Sequence, residues 1–124
     1  MKNIVILILF LSFTFKSNAQ KITGLWYSAD SSRVYEIKEL AANKFTAVLR
    51  SSSRKKDNPG YVIIKELIYN TRKKRYEGII YAASDGQAAF VKIRFDKANE
   101  NRIILKLNRM LVMDVAISWI RADS

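Results

Sequence analysis

Eleven carboxylates are the natural place to look for chemistry in this 124-residue chain, because it contains neither histidine nor cysteine. Histidine is the commonest metal ligand and the side chain that titrates near neutrality. Without it, and without thiols, zinc sites and the Ser-His and Cys-His nucleophile systems lack their usual parts. A carboxylate acid–base pair needs two acidic groups in different environments across one cleft. Here Asp30, Glu36, Glu39, Glu66, Glu77, Asp85, Asp96, Glu100 and Asp114 are scattered, with no spacing that forces two of them onto one site. Asp114 stands out within LVMDVAIS, where burial would raise its pKa and suit it to catalysis. Alternation, however, sets it with Ala116 and Ser118, opposite Met113, Val115, Ile117 and Trp119. It is therefore expected to point outward and to pair with a neighbouring lysine or arginine. These residues describe a protein that is not an enzyme and carries no metal or cofactor.

Positive charge is the stronger signal, concentrated in Arg54-Lys55-Lys56 and in Arg72-Lys73-Lys74-Arg75. Such clusters attract anions, and the classes that fit are anionic lipids, lipopolysaccharide and acidic glycans. Basic residues interleaved with aromatics, as in RKKRYEGIIY, also suit single-stranded nucleic acid. The N-terminus argues against that partner. MKNIVILILFLSFTFKSNA has a charged start at Lys2, an apolar run from Ile4 to Phe15 and a small-residue ending at Ser17-Asn18-Ala19, the pattern of a secretory leader over residues 1–19. Its apolar run is shorter than the roughly 20 residues of a permanent membrane helix. The expected product is exported, periplasmic or secreted, and begins at Gln20. Setting aside Lys2 and Lys16 lowers the formal charge from +11 to +9. A cationic partner enzyme, such as a lysozyme, is disfavoured because like charges oppose encounter.

Residues 20–124 suffice for one small domain and must fold without disulfides. Their apolar positions recur with period two in short stretches rich in Val, Ile, Tyr and Phe, which predicts strands near 22–29, 33–40, 43–50, 61–69, 75–82, 87–96, 102–108 and 112–121. A helix competes only in YEIKELAANKF, as a short turn around Leu40 to Asn43, and in MLVMDVAISWI, where β-branching favours a strand. The connections NTRKK, ASDGQ and KANEN are short and polar, as antiparallel neighbours require, and none has room for a crossover helix. SSSRKKDNPG, with Pro59 and Gly60, is a longer loop.

Eight successive antiparallel strands leave two exposed edges unless the sheet closes, so the expected fold is all-β, a small eight-stranded up-and-down barrel. In such a meander successive loops fall at alternate ends, which places the two basic clusters at opposite poles. Spanning a bilayer is disfavoured, because Lys92, Arg94 and Lys106 share the outward face. Gly24-Leu25-Trp26 on the first strand resembles the G-x-W signature that opens lipocalin-like barrels. That resemblance implies that Trp26 closes one barrel end beneath an arginine of the last strand, for which Arg121, beside Trp119, is the match. Gly24, Trp26, Trp119 and Arg121 are the expected closure residues.

The order Gly24-x-Trp26, Asp57-Asn58-Pro59-Gly60, Tyr76-Glu77-Gly78-Ile79-Ile80-Tyr81, Gly86 and Trp119 resembles the exported bacterial barrels grouped as domain-of-unknown-function family 2147. Members often carry a cysteine pair where this chain has Ser51 to Lys56, and a proline with a G-K-x-Y turn where it has Ala82 to Phe90. The resemblance implies architecture and no redox or metal chemistry.

Two functions follow from this frame. In the first, inward residues hold a small apolar or amphipathic ligand; the candidates are Trp26, Tyr35, Phe45, Tyr76 and Ile80, with Val91, Ile93, Phe95 and Leu105. Those side chains could equally fill the lumen. In the second, a basic pole docks on an anionic envelope component. The favoured pole is the one carrying Arg72 to Arg75 with Lys44, Lys97 and Arg102; the other carries Arg54, Lys55 and Lys56.

Overall fold

The computed structural model describes residues 21–83, 86–108 and 114–122. The expected leader, residues 1–19, lies outside them. Eight strands form: β1 (Gly24–Ser28), β2 (Arg33–Ala41), β3 (Lys44–Ser52), β4 (Val62–Asn70), β5 (Arg75–Tyr81), β6 (Ala88–Phe95), β7 (Arg102–Asn108) and β8 (Val115–Arg121). Each pairs antiparallel with the next, and β8 returns to β1, closing an up-and-down barrel. The expected strands recur with ends displaced by no more than three residues, β7 coinciding at both ends, and positions 112 and 113 of the last fall outside the described residues.

Turn chemistry explains the meander. The segment in which a helical turn competes is a two-residue hairpin instead: Ala41 pairs with Lys44, and Asn43 takes a left-handed φ of 62°. Asparagine tolerates that conformation, which tight hairpins require. Between β4 and β5, Asn70 Oδ1 accepts from the backbone N–H groups of Arg72 (3.1 Å) and Lys73 (3.0 Å), holding the reversal. In the longest connection Pro59 and Gly60 occupy the middle of a turn closed by Tyr61 N–H donating to Asn58 O at 3.1 Å, with Gly60 at φ 95°. Proline followed by a residue of positive φ is the type II pattern.

Alternation sends Tyr35 and Ile37, Ala47 and Leu49, Val91 and Ile93, and Ile103 and Leu105 inward, all buried. In β4 Ile63 and Ile64 are both buried although adjacent, because the register of that strand slips between Ile64 and Leu67. Such irregularities re-aim side chains and increase local curvature, which a small closed barrel needs.

The barrel has a proximal end, where the lead-in Lys21 to Thr23, the hairpin at Asn43, the turn 71–74 and the loop 96–101 gather. The distal end carries the loops 29–32 and 53–61 and the residues 82, 83, 86 and 87 that flank β5 and β6. Arg72 to Arg75 lie at the proximal end and Arg54 to Lys56 at the distal one, as the meander requires.

Candidate functional site

Closure of the barrel is built around Trp26. β1 and β8 share three register pairs, Trp26 with Arg121, Tyr27 with Ile120 and Ser28 with Trp119. The indole is fully buried, and its Nε1–H donates to Ile22 O at 2.9 Å. The Arg121 guanidinium lies 4.3 Å from the indole centroid and donates to Lys21 O at 2.7 Å and to Thr23 O at 3.4 Å. One arginine thus covers the ring and ties down the lead-in segment that brings buried Ile22 beneath it. Gly24 has φ 127°, a conformation that other residues rarely adopt. A Cβ there would sit 3.5 Å from Arg121 Nη1. Trp119 belongs one layer further from this end, stacked on Tyr35 at 4.1 Å and 15°. Truncating Arg121→Ala is expected to cost about 0.5–2 kcal/mol, the range of a partly desolvated cation–π contact. Urea unfolding measures it, and Arg121→Lys should recover part of the loss.

Beside this plug the proximal end is open. A depression of about 640 Å³ is walled by Phe45, Tyr69, Tyr76, Ile93 and Phe95 and rimmed by Asn43, Lys73, Lys74, Arg94 and Lys97. A smaller hollow of about 240 Å³ runs along Phe45 and Tyr76 toward Ile22 and Glu39. The aromatic wall is self-supporting: Phe45 meets Tyr76 edge-on at 5.5 Å, Tyr69 lies 4.8 Å from Tyr76, and Phe95 sits 6.4 Å from Trp26. Edge-on and tilted pairs are favoured geometries, so these contacts brace the wall of the mouth. Burial, and then the neighbouring Tyr69, push the Tyr76 phenol above its ordinary pKa, leaving it a neutral hydrogen-bond donor.

The rim is cationic. Lys73, Lys74 and Lys97 are exposed and meet no carboxylate among the described residues. Arg72 is likewise exposed and unpaired. Arg75 differs, since its Nε donates to Glu77 at 2.6 Å. Hydrogen bonds from Asn70 and Arg75 hold the Glu77 carboxyl below its usual pKa. Lys44 pairs with Glu66 at 3.7 Å and Arg102 with Asp96 at 3.6 Å. Of the expected proximal cations, Arg72, Lys73, Lys74 and Lys97 therefore remain available.

At the distal end the charges are more fully matched. Asp57, with its side chain 1% exposed, accepts from Arg33 Nε at 2.6 Å, Arg33 Nη2 at 3.2 Å and Ser52 Oγ at 2.7 Å. The Arg33 hydrogen bond, followed by that of Ser52, lowers its pKa. Asp30 accepts from Ser28, from Ser32 and from Arg54 at 2.9 Å, contacts led by those of Ser32 that hold its carboxyl far below the ordinary range. Arg54 is thereby engaged, leaving Lys55 and Lys56 as the exposed distal cations.

Of the expected ligand contacts, Phe45, Tyr76, Ile93 and Phe95 border the mouth. Trp26, Tyr35, Val91 and Leu105 are buried in the packed interior, and partly buried Ile80 packs against it. They line neither hollow. Tyr69 and Arg94 join the mouth without having been anticipated; both alternate with strand neighbours in the sequence, but only register shows that they reach this rim. Asp114 is exposed, as expected, but its partner is the Asn108 amide at 2.6 Å and not a cation. Alternation fixed its face, whereas its nearness to Asn108 follows from the β7–β8 register, in which Leu107 pairs with Val115. Among the described residues no three acidic side chains converge on a metal-sized site. No helix among them is long and apolar enough to cross a membrane. Comparison with protein-family models, with curated proteins and with solved structures finds no match for the chain.

Proposed function

We propose that this is an exported, non-enzymatic barrel that binds a small amphipathic anion at its proximal mouth. The apolar part lies against Phe45, Tyr76, Ile93 and Phe95, and the acidic head meets Lys73, Lys74 and Lys97. The observation that carries this reading is the convergence of an aromatic wall and unpaired cations on one hollow of about 640 Å³. That volume falls within the roughly 300–1,000 Å³ of small-molecule sites. Export rests on the leader-like residues 1–19, and kinship with lipocalin-like barrels rests on Gly24-x-Trp26 with its covering arginine. Charged Lys92, Arg94 and Lys106 on the outer wall favour a barrel surrounded by water.

Calorimetric titration with dodecyl phosphate, dodecanol and dodecyltrimethylammonium tests the assignment. The phosphate should bind best and the cation least, and K73E/K74E should weaken the phosphate at least about tenfold, the size of one lost charge-assisted contact. Equal affinity for the three probes, or indifference to the double variant, would remove the mouth as a site.

A second reading, docking of the same pole on an anionic envelope surface, is favoured by exposed Arg72, which lies outside the hollow. Its mark is salt-sensitive co-sedimentation with phosphatidylglycerol vesicles, but not with phosphatidylcholine vesicles, by a protein that ignores dodecyl phosphate.

A further inference from the structure

On the outer wall, Lys92 of β6 stands directly opposite Lys106 of β7 in the sheet register. Like charges in that position are destabilising, with Cβ atoms only about 4.5–5.5 Å apart. Neither ammonium meets a carboxylate among the described residues. On its other side Lys92 faces Glu77, but that carboxylate is already engaged by Arg75 at 2.6 Å and Asn70 at 3.2 Å. The repulsion is left standing in the fold.

The pair borders a groove of about 440 Å³, floored in part by Ile104 and continued toward the proximal end by Arg94 and Lys97. Five cations line it, with Arg75 as the fifth, against two carboxylates. Both carboxylates have other partners: Asp96 pairs with Arg102, and Asp114 accepts from Asn108. Among the described residues Arg94 makes one long contact, 3.5 Å to Lys73 O, which leaves most of its donors for an anion. Beyond Lys92, toward the distal end, exposed Phe90 stands opposite Asn108.

We propose that this groove binds a linear acidic polysaccharide. The wall groove and the mouth share Arg94, Phe95 and Lys97, so one occupant touching both must turn over the barrel rim. A planar membrane cannot lie along the wall and across the end at once, whereas a flexible chain can. Carboxylates along the chain relieve the Lys92–Lys106 repulsion, Asn108 supplies an amide for hydroxyls, and Phe90 offers an apolar face to a sugar ring. Single-stranded nucleic acid fits less well, because successive bases require successive aromatic platforms, whereas the groove's own lining holds one aromatic, Phe95, at its proximal end, with Phe90 beyond the opposite end and Ile104 between. The chain and the mouth ligand compete at the shared Arg94, Phe95 and Lys97, but Lys92 and Lys106 belong to the groove alone, so the groove is tested apart from the mouth.

The test is titration of the native chain with hexagalacturonate, with galacturonate monomer and with a six-residue oligothymidylate at low and moderate salt. The hexamer should bind far more tightly than the monomer and weaken as salt rises. K92Q/K106Q should reduce hexamer affinity at least about tenfold, leave dodecyl phosphate binding unchanged, and keep or raise the melting temperature, which separates lost binding from lost folding. K55Q/K56Q, at the opposite pole, should change nothing. Absence of hexamer binding, its survival in K92Q/K106Q, or tighter binding of the oligothymidylate would overturn the proposal.

Discussion

Trp26→Ala is expected to lower the unfolding free energy by about 3–5 kcal/mol, the range for removing a buried tryptophan. For a domain whose whole stability is about 5–15 kcal/mol, that is a large share. The ring is fully buried, its N–H is satisfied by Ile22, and it is the surface on which Arg121 rests. Its removal opens a void and also strands the guanidinium and the lead-in segment that it tethers. Urea denaturation followed by far-ultraviolet circular dichroism gives the number, and Trp26→Phe should cost clearly less. A loss below about 1 kcal/mol would mean that the indole does not stopper the barrel, since even a buried Leu→Ala truncation costs about 2–5 kcal/mol.

Asp57→Ala is the second large effect. Breaking a buried ion pair by removing one partner costs about 3–5 kcal/mol. The low end applies here, because Arg33 keeps 18% of its side chain exposed and water can rehydrate it. The pair also makes stability depend on pH. With its folded pKa lowered from the ordinary 3.8, Asp57 stays ionised in the folded chain while the unfolded chain takes up a proton. Its contribution is therefore complete above about pH 4 and is lost as the pH falls below 3.8 through the folded value. Asp30 and Glu77, lowered in the same way, act in the same direction. The melting temperature of the native chain should fall steeply on acidification below pH 4, and the fall should be shallower in Asp57→Asn. Parallel acid profiles for the two proteins would dissociate Asp57 from the acid transition.

The strands were legible because each is one alternating run bounded by residues with a reason to turn, and closure was legible because Gly24, Trp26 and Arg121 occupy the first and last of them. Alternation reports which face a side chain takes. It does not report depth, so Tyr35 and Leu105, buried in the middle, carried the same signal as Phe45 and Phe95 at the rim. The slip in β4 was hidden for a related reason: IIKEL fits either register until β3 and β5 impose theirs. The Arg33–Asp57 pair spans 24 positions and joins a strand start to a loop, a relation that no local pattern encodes. Charge clusters stood out, but which cations are spent on nearby carboxylates emerged only when Arg54 met Asp30 and Arg75 met Glu77.

The three-pair seam between β1 and β8 also governs when the molecule can become whole. Contacts across it join residues 98 and 100 positions apart, Thr23 and Lys21 with Arg121, while every other strand pairs with its immediate successor. Local hairpins can therefore assemble while the chain is still being synthesised, but sealing awaits the stretch that ends at Arg121, the longest loop the backbone has to close. Until then the sheet is an open ribbon with two sticky margins, and shortening the chain by a single strand would keep it so.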